Sequence, residues 1–288
     1  MARSRFSAPA AQTALRAPFL KKVSLLPERA GGEGFPFDLP ILGGGRFELS
    51  FDLPVTFFVG ENGTGKSTVL EAIAAQCGFD PGGGSQQHRY GGATPVNELA
   101  RALRLSWLPK VTSGFYLRAE SFFNFASYID EAGNPQFWGD RSLHGQSHGE
   151  SFLTLFRHRF TGERRSLYLL DEPEAALSPR RQIEFLGLLR QWERTGNAQF
   201  IIATHSPIIL SYPNAHLFSF DGGTVHATRF EDTEHYRVTR SFLLDPAAHL
   251  AALFAAAEAE PPPDGDVTGS PGSARRDRSR SARRPRRG

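Results

Sequence analysis

Residues 55–78 read VTFFVGENGTGKSTVLEAIAAQCG, and no other stretch limits the fold of this chain so tightly. An apolar, β-branched and aromatic run ends at Gly60, which predicts a buried strand. After the glycine turn, Val69, Leu70, Ile73 and Cys77 fall at helical spacing and Gly78 is a natural stop. Between the two lies Gly-x-x-x-x-Gly-Lys-Ser, with Gly60, Gly65, Lys66 and Ser67 at the fixed positions. Each residue type there has a physical reason. Glycines let consecutive backbone N–H groups turn inward around phosphate oxygens, and the following helix adds its positive N-terminal end. The lysine supplies a point charge for the β and γ phosphates and the serine hydroxyl a ligand for Mg²⁺. The stretch Gly60, Glu61, Asn62, Gly63, Thr64, Gly65, Lys66, Ser67 and Thr68 is therefore the candidate nucleotide-binding loop.

A loop of this kind works at the end of a strand in a parallel sheet, and the rest of the sequence fits one. SLYLLDE (166–172) and AQFIIATH (198–205) read as further buried strands, separated by the helical PRRQIEFLGLLRQWERTG. Ahead of the loop, short apolar runs broken by Gly and Pro between residues 22 and 59 predict a small strand-rich region. TPVNELARALRLSWL and SFFNFASYIDEA read as helices and GFYLRAE as a strand. HLFSF-DGG-TVHATRF reads as two strands about a tight turn. VTRSFLLDPAAHLAALF is expected to be a closing helix whose Phe242, Leu243, Leu250 and Leu253 pack inward. The expected fold is α/β: a mostly parallel sheet flanked by helices, an N-terminal antiparallel β region and a small helical insertion at about 80–150.

Charge and composition set the boundaries. Net charge is +3, yet eight arginines and one aspartate lie between Arg275 and Arg287, so the remainder carries about −4. Residues 258–288 are rich in Pro, Gly, Ser and Arg and leave nothing to pack, which predicts a disordered tail. Such a tail is either a solvated extension or a nucleic-acid contact made through counterion release. Residues 1–20 read as a frayed extension, with an organelle transit peptide as the other reading. That leaves 21–257 as one domain. A single cysteine, Cys77, excludes an internal disulfide, and no run of 18 apolar residues is present, so a cytoplasmic location is expected.

The loop needs a metal partner and a base. LYLLDE (167–172) ends an apolar strand in two carboxylates. Asp171 is placed to hold the Mg²⁺ shell and Glu172 to polarise the attacking water.

With these residues in view, GENGTGKST, SHGES, LYLLDEPEAALSP and IIATHSP together resemble the ATP-binding cassette (ABC) class of P-loop ATPases, which includes transporter ATPases and the RecF and SMC proteins. The resemblance runs over roughly residues 20–250 and is nearest the small stand-alone predicted AAA-family ATPases of that class. It implies that Ser147, Gly149 and Glu150 are the signature that caps the γ-phosphate held by a second copy, so that two nucleotides close a head-to-tail homodimer. His148 stands where the class has a glycine. It also implies that His205 is the switch histidine touching the γ-phosphate. Residues 174–178 would be the loop crossing the dimer interface, with Ser178 in place of the usual Asp. Glu120 takes the approximate place of the glutamine lever and would join the metal site. ATP and Mg²⁺ are the implied cofactors. Phe35 and Phe37 could stack on adenine, although core packing explains each of them.

Three roles stay open on these residues. The first is a soluble ATPase working on nucleic acid or protein assemblies, for which the RecF-like SHGES and the basic tail speak. The second is the nucleotide-binding subunit of a transporter, coupled to a separate membrane permease. The third is a nuclease fusion, which would need a metal site among Asp221, Glu231, Asp232, Glu234 and the nearby histidines.

Overall fold

Residues 15–31, 34–79, 96–119, 148–159 and 163–259 are described by the computed structural model of the chain. Val55–Val59 forms β3 and is buried along its whole length, as are β6 (Ser166–Asp171) and β7 (Ala198–Ala203). Continuous apolar strands of this type require cover on both faces. They lie in a six-stranded sheet of order β5-β6-β7-β3-β8-β9, with β5 at Ser113–Arg118, β8 at His216–Ser219 and β9 at His226–Thr228. Every pairing is parallel except β8 with β9, the expected hairpin.

The alternation of strand side chains divides the core in two. Val55, Phe57, Val59, Tyr168, Leu170, Phe200 and Ile202 face one cluster. There they meet Phe152 and Phe156 of α3 (His148–Arg159) and Phe185, Leu189 and Trp192 of α4 (Pro179–Thr195). Phe58, Leu167, Leu169 and Ile201 face the other, with Val69, Leu70 and Ile73 of α1 (Lys66–Gln76) and Leu99 of α2 (Val96–Ala102). That second face also receives a three-stranded antiparallel sheet of order β2-β1-β4, built from Glu48–Ser50, Leu20–Leu25 and Leu103–Trp107. Gln199 joins the two sheets: its Oε1 accepts from the N–H groups of Phe19 and Leu20, both at 2.8 Å, and its Nε2 donates to Leu20 O at 3.0 Å.

Two expectations change. The helix predicted through residue 108 stops at Ala102, and Leu103–Trp107 runs as a strand against β1, with Leu25 opposite Leu103 and Val23 opposite Leu105. A free edge on β1 outweighs the local helical spacing, because pairing buries Leu103 and Leu105 in the same stroke. The expected helical insertion at 80–150 thus contains strands of both sheets; SFFNFASYIDEA lies outside the described residues.

The chain separates into two units, Met1–Ser241 and Phe242–Gly288. The closing segment is two helices, α6 (Glu234–Leu244) and α7 (Pro246–Ala259), because Pro246 starts a new helix and Asp245 caps it by accepting from Ala248 N at 3.0 Å. Phe242, Leu243, Leu250 and Leu253 are exposed, 38% or more each, not packed as expected. No helix of the described residues is long and apolar enough to cross a membrane.

Candidate functional site

The register of the parallel strands decides which side chains meet. Phe58 of β3 and Asp171 of β6 are both opposite Ala203 of β7, and Arg118 of β5 is opposite Asp171. Ser219 of β8 is opposite Val59 of β3, so the C-terminal ends of five strands line up along one edge, where open α/β sheets place their ligands. Glu172 N donates to Ala203 O at 2.9 Å and Thr204 N to Phe58 O at 3.2 Å, which ties the three loops together just beyond the sheet.

The loop after β3 has the geometry its sequence predicts. Gly60, Gly63 and Gly65 have φ of 145°, 80° and 97°. At Gly65 a Cβ would come within 2.9 Å of Ile41 Cδ1 and 3.1 Å of Leu39 Cδ1, so a larger residue would have to displace those side chains as well as hold the left-handed φ that favours glycine. Thr64 Oγ1 donates to Glu61 O at 2.9 Å; Asn62 and Gly63 are exposed at the tip. α1 begins at Lys66, so the N–H groups of Lys66, Ser67 and Thr68 belong to its unbonded first turn. Lys66 is buried, and its Nζ donates to Gly60 O at 2.6 Å and Glu61 O at 2.8 Å. Burial lowers its pKa, against the raising effect of Glu172, Asp221 and Asp171.

Ser67 Oγ donates to Asp171 Oδ1 at 2.9 Å. Asp171 is only 2% exposed, with Tyr116 Oη 3.4 Å and Arg118 Nε 3.8 Å from its Oδ2. Burial pushes its carboxyl up to about 6, with the Ser67 bond acting the other way. Glu172, next in sequence, is held in the left-handed region at φ 50° and ψ 53°. For a non-glycine residue this conformation costs on the order of 1 kcal/mol and recurs where the backbone must aim a functional side chain. Here it sends the carboxylate back toward β7, where Glu172 Oε1 is 3.6 Å from His205 Nε2.

His205 is fixed from two sides. Its backbone N–H donates to Glu174 Oε1 at 2.6 Å, while Thr204 Oγ1 donates to Glu174 Oε2 at 2.7 Å. Its Nδ1 faces His235 Nε2 at 2.8 Å, and its Nε2 is buried with no hydrogen-bond partner. Burial lowers its pKa, and the nearby Lys66 and His235 add to this. Behind it, Ser206, the N-cap of α5 (Pro207–Leu210), donates from its Oγ to Gln182 Oε1 at 2.5 Å, and Gln182 Nε2 donates to Leu177 O at 2.9 Å, so the loops after β6 and β7 are stitched together at two points.

The structure thus brings together Gly60–Thr68, Asp171, Glu172 and His205. Gly149 and Glu150 lie in the first turn of α3; Ser147 and Glu120 lie outside the described residues. Phe37 packs against the core and Phe35 is exposed. Among the described residues no group of three or more His, Cys, Asp and Glu is arranged to hold a metal ion, the acidic segment after residue 220 included. Asp221 has a different place there: its Oδ1 accepts from Glu61 N at 2.8 Å and so pins the start of the phosphate loop. Neither that contact nor Glu174, Tyr116 and His235 could be found from local pattern, since each acts across 30 or more residues of chain. The one available signal was chemical: a titratable residue just past a strand end or a helix start.

Two family models match the chain, "AAA domain" over residues 40–99 and "AAA domain, putative AbiEii toxin, Type IV TA system" over residues 151–211. They take in the phosphate loop and the carboxylate strand with the His205 loop, respectively, and are consistent with an ABC-class P-loop ATPase. None of the curated proteins matches. Among solved structures, the SMC head domain from Thermotoga maritima is similar at 20% identity over 73% of this chain and 98% of its own, with a TM-score of 0.43. An ATP-binding cassette of an ABC transporter is similar at 17% identity over 83% and 99%, with a TM-score of 0.44. A part of an ABC transporter complex from Clostridium perfringens is similar at 18% identity over 81% and 99%, also at 0.44.

Proposed function

We propose that this chain binds MgATP on the loop from Gly60 to Thr68 and hydrolyses the bond between the β and γ phosphates, with Glu172 as general base. One observation carries the reading: the Ser67–Asp171 bond of 2.9 Å and the Glu172–His205 approach of 3.6 Å lie at the same sheet edge as the loop. Ser67 and Asp171 together offer two hard oxygens, the set Mg²⁺ takes when it keeps several waters and binds a substrate phosphate. When bound, the ion would neutralise charge on the phosphate oxygens. Lys66 has three N–H donors, two of them on loop carbonyls, which leaves one for the β and γ phosphates. In the reaction a water oxygen attacks the γ-phosphorus as the bond to the ADP oxygen breaks. ADP leaves with the electron pair, and the proton lost by the water passes to the Glu172 carboxylate. His205 Nε2 lies beside that carboxylate and would donate to a γ-phosphate oxygen.

The family resemblance, with Gly149 and Glu150 in the first turn of α3, supports a second step. The signature Ser147, Gly149 and Glu150 of one copy closes on the nucleotide held by the other, giving a head-to-tail dimer. We further place the work of this cytoplasmic ATPase on nucleic acid, through the arginines between 275 and 287.

Steady-state turnover tests the chemistry: Glu172→Gln is expected to lose about 10² to 10⁴ in kcat, the range of a general base, and Lys66→Ala to weaken nucleotide binding. Parental turnover by Glu172→Gln would show that the base lies elsewhere. The partner is tested by turnover with and without DNA, for the whole chain and for a chain ending at Glu258. Stimulation that disappears with the tail is expected. Indifference of both to DNA removes the nucleic-acid role and returns the permease-coupled reading.

A further inference from the structure

We propose that His235, in the first turn of α6, is a positioning residue for the nucleotide site: through its bond to His205 it holds that imidazole in the tautomer that points an N–H at the γ-phosphate. The inference rests on the ATPase reading above and names a part of the site that neither the family matches nor the sequence pattern assigns.

The geometry leaves two arrangements of protons. His205 Nδ1 and His235 Nε2 are 2.8 Å apart, with ring centroids 5.0 Å apart, so one nitrogen must donate and the other accept. The far nitrogens, His205 Nε2 and His235 Nδ1, are both buried without hydrogen-bond partners. Suppose His205 donates. Its Nε2 then turns a bare lone pair on Glu172 Oε1 at 3.6 Å and on any phosphate placed there, and His235 Nδ1 becomes a buried N–H with no acceptor. Suppose instead that His235 donates. His205 Nε2 then carries its proton toward the carboxylate and the phosphate, and the unmatched group at His235 Nδ1 is an acceptor. Buried acceptors are left unmatched more readily than buried donors. Both ends of the pair thus select the arrangement in which His235 Nε2–H donates to His205 Nδ1. Fixing a working imidazole from its other nitrogen is a general way of setting its tautomer and orientation.

His235 is well held for this task. Thr233 caps α6, its buried hydroxyl accepting from Tyr236 N at 3.3 Å and donating to Phe230 O at 2.7 Å. Phe230 and Tyr236 pack with their rings tilted at 53° and centroids 4.6 Å apart across the same turn. Arg237 Nη2 meets Asp232 Oδ1 at 3.0 Å on the outside. The turn that carries His235 is therefore anchored by contacts of its own, independent of the histidine.

The test pairs kinetics with a direct view of the proton. In the ¹⁵N-histidine spectrum of the whole parental chain, His205 should carry its proton on Nε2, with Nδ1 bare. In His235→Phe that preference should be lost, and kcat for ATP should fall about tenfold with KM changed less than about twofold. His235→Gln, whose amide N–H can replace the imidazole donor, should recover most of both. A parental proton on His205 Nδ1 overturns the proposal, as does parental kcat in His235→Phe. Should the parental chain not hydrolyse ATP, the function proposed above fails, and the His205 spectra of the parental chain and His235→Gln still decide the pairing. Should His235→Phe not fold, parental and Gln spectra suffice in the same way.

Discussion

Asp171 sits where its protonated form is favoured. Its carboxyl is moved from 3.8 to about 6 by burial. The folded chain therefore binds this proton more tightly than the unfolded one. The resulting stability is whole below about pH 4 and is lost as pH rises through 6. At neutral pH the ionised carboxylate costs the nucleotide-free fold on the order of 3 kcal/mol. Asp171→Asn is accordingly expected to raise the melting temperature of the nucleotide-free protein by several degrees at pH 7.5 while losing turnover, and the gain should shrink toward pH 4; scanning fluorimetry across pH reads both trends. Glu172 carries a parallel burden in its left-handed backbone. Carboxylates placed against their own folding preference mark the site as clearly as the glycine pattern does. Lys66, Asp171 and Glu172 could be read from the sequence because each follows an apolar strand at fixed spacing. Asp221 and His235 could not, because their partners, Glu61 N and His205 Nδ1, are 160 and 30 residues away in the chain.

At the level of elements, the buried strands announced themselves. β3, β6 and β7 are buried from end to end and mostly apolar because helices or a second sheet cover both faces. The error at residues 103–107 has the opposite origin. Leu103–Trp107 has no decisive local preference, and the open edge of β1 settles its conformation. The antiparallel sheet packs on the central one through the shared apolar cluster, and the polar link between them is the side chain of Gln199, wholly buried and matched on both its oxygen and its nitrogen. Gln199→Leu would remove the side-chain partner of two buried N–H groups and one carbonyl. A loss of about 3 to 5 kcal/mol in unfolding free energy is expected, read as a lower urea midpoint with unchanged slope. Gln199→Glu should also destabilise, since its carboxylate can accept from both N–H groups but cannot donate to Leu20 O.

At the level of the whole molecule, the proposed head-to-tail arrangement would complete each site only in a pair. Glu172→Gln with MgATP is expected to sediment as a dimer, because binding proceeds while hydrolysis is slowed, and the doubly substituted chain carrying Ser147→Arg as well should remain monomeric. Analytical ultracentrifugation with and without nucleotide separates these outcomes, and a monomer of Glu172→Gln at saturating MgATP would contradict the head-to-tail pair. By itself the sequence determined the glycine loop and the strand that ends at Asp171, because each follows from a pattern within a dozen consecutive residues, and the α/β class, because buried strands and helices alternate along the chain. Tertiary structure alone decided the strand order that brings β3, β7 and β6 side by side, the fate of residues 103–107, and the contacts of Asp221, Glu174 and His235. Those depend on register and on which edges are left open, and such information is spread over the whole chain.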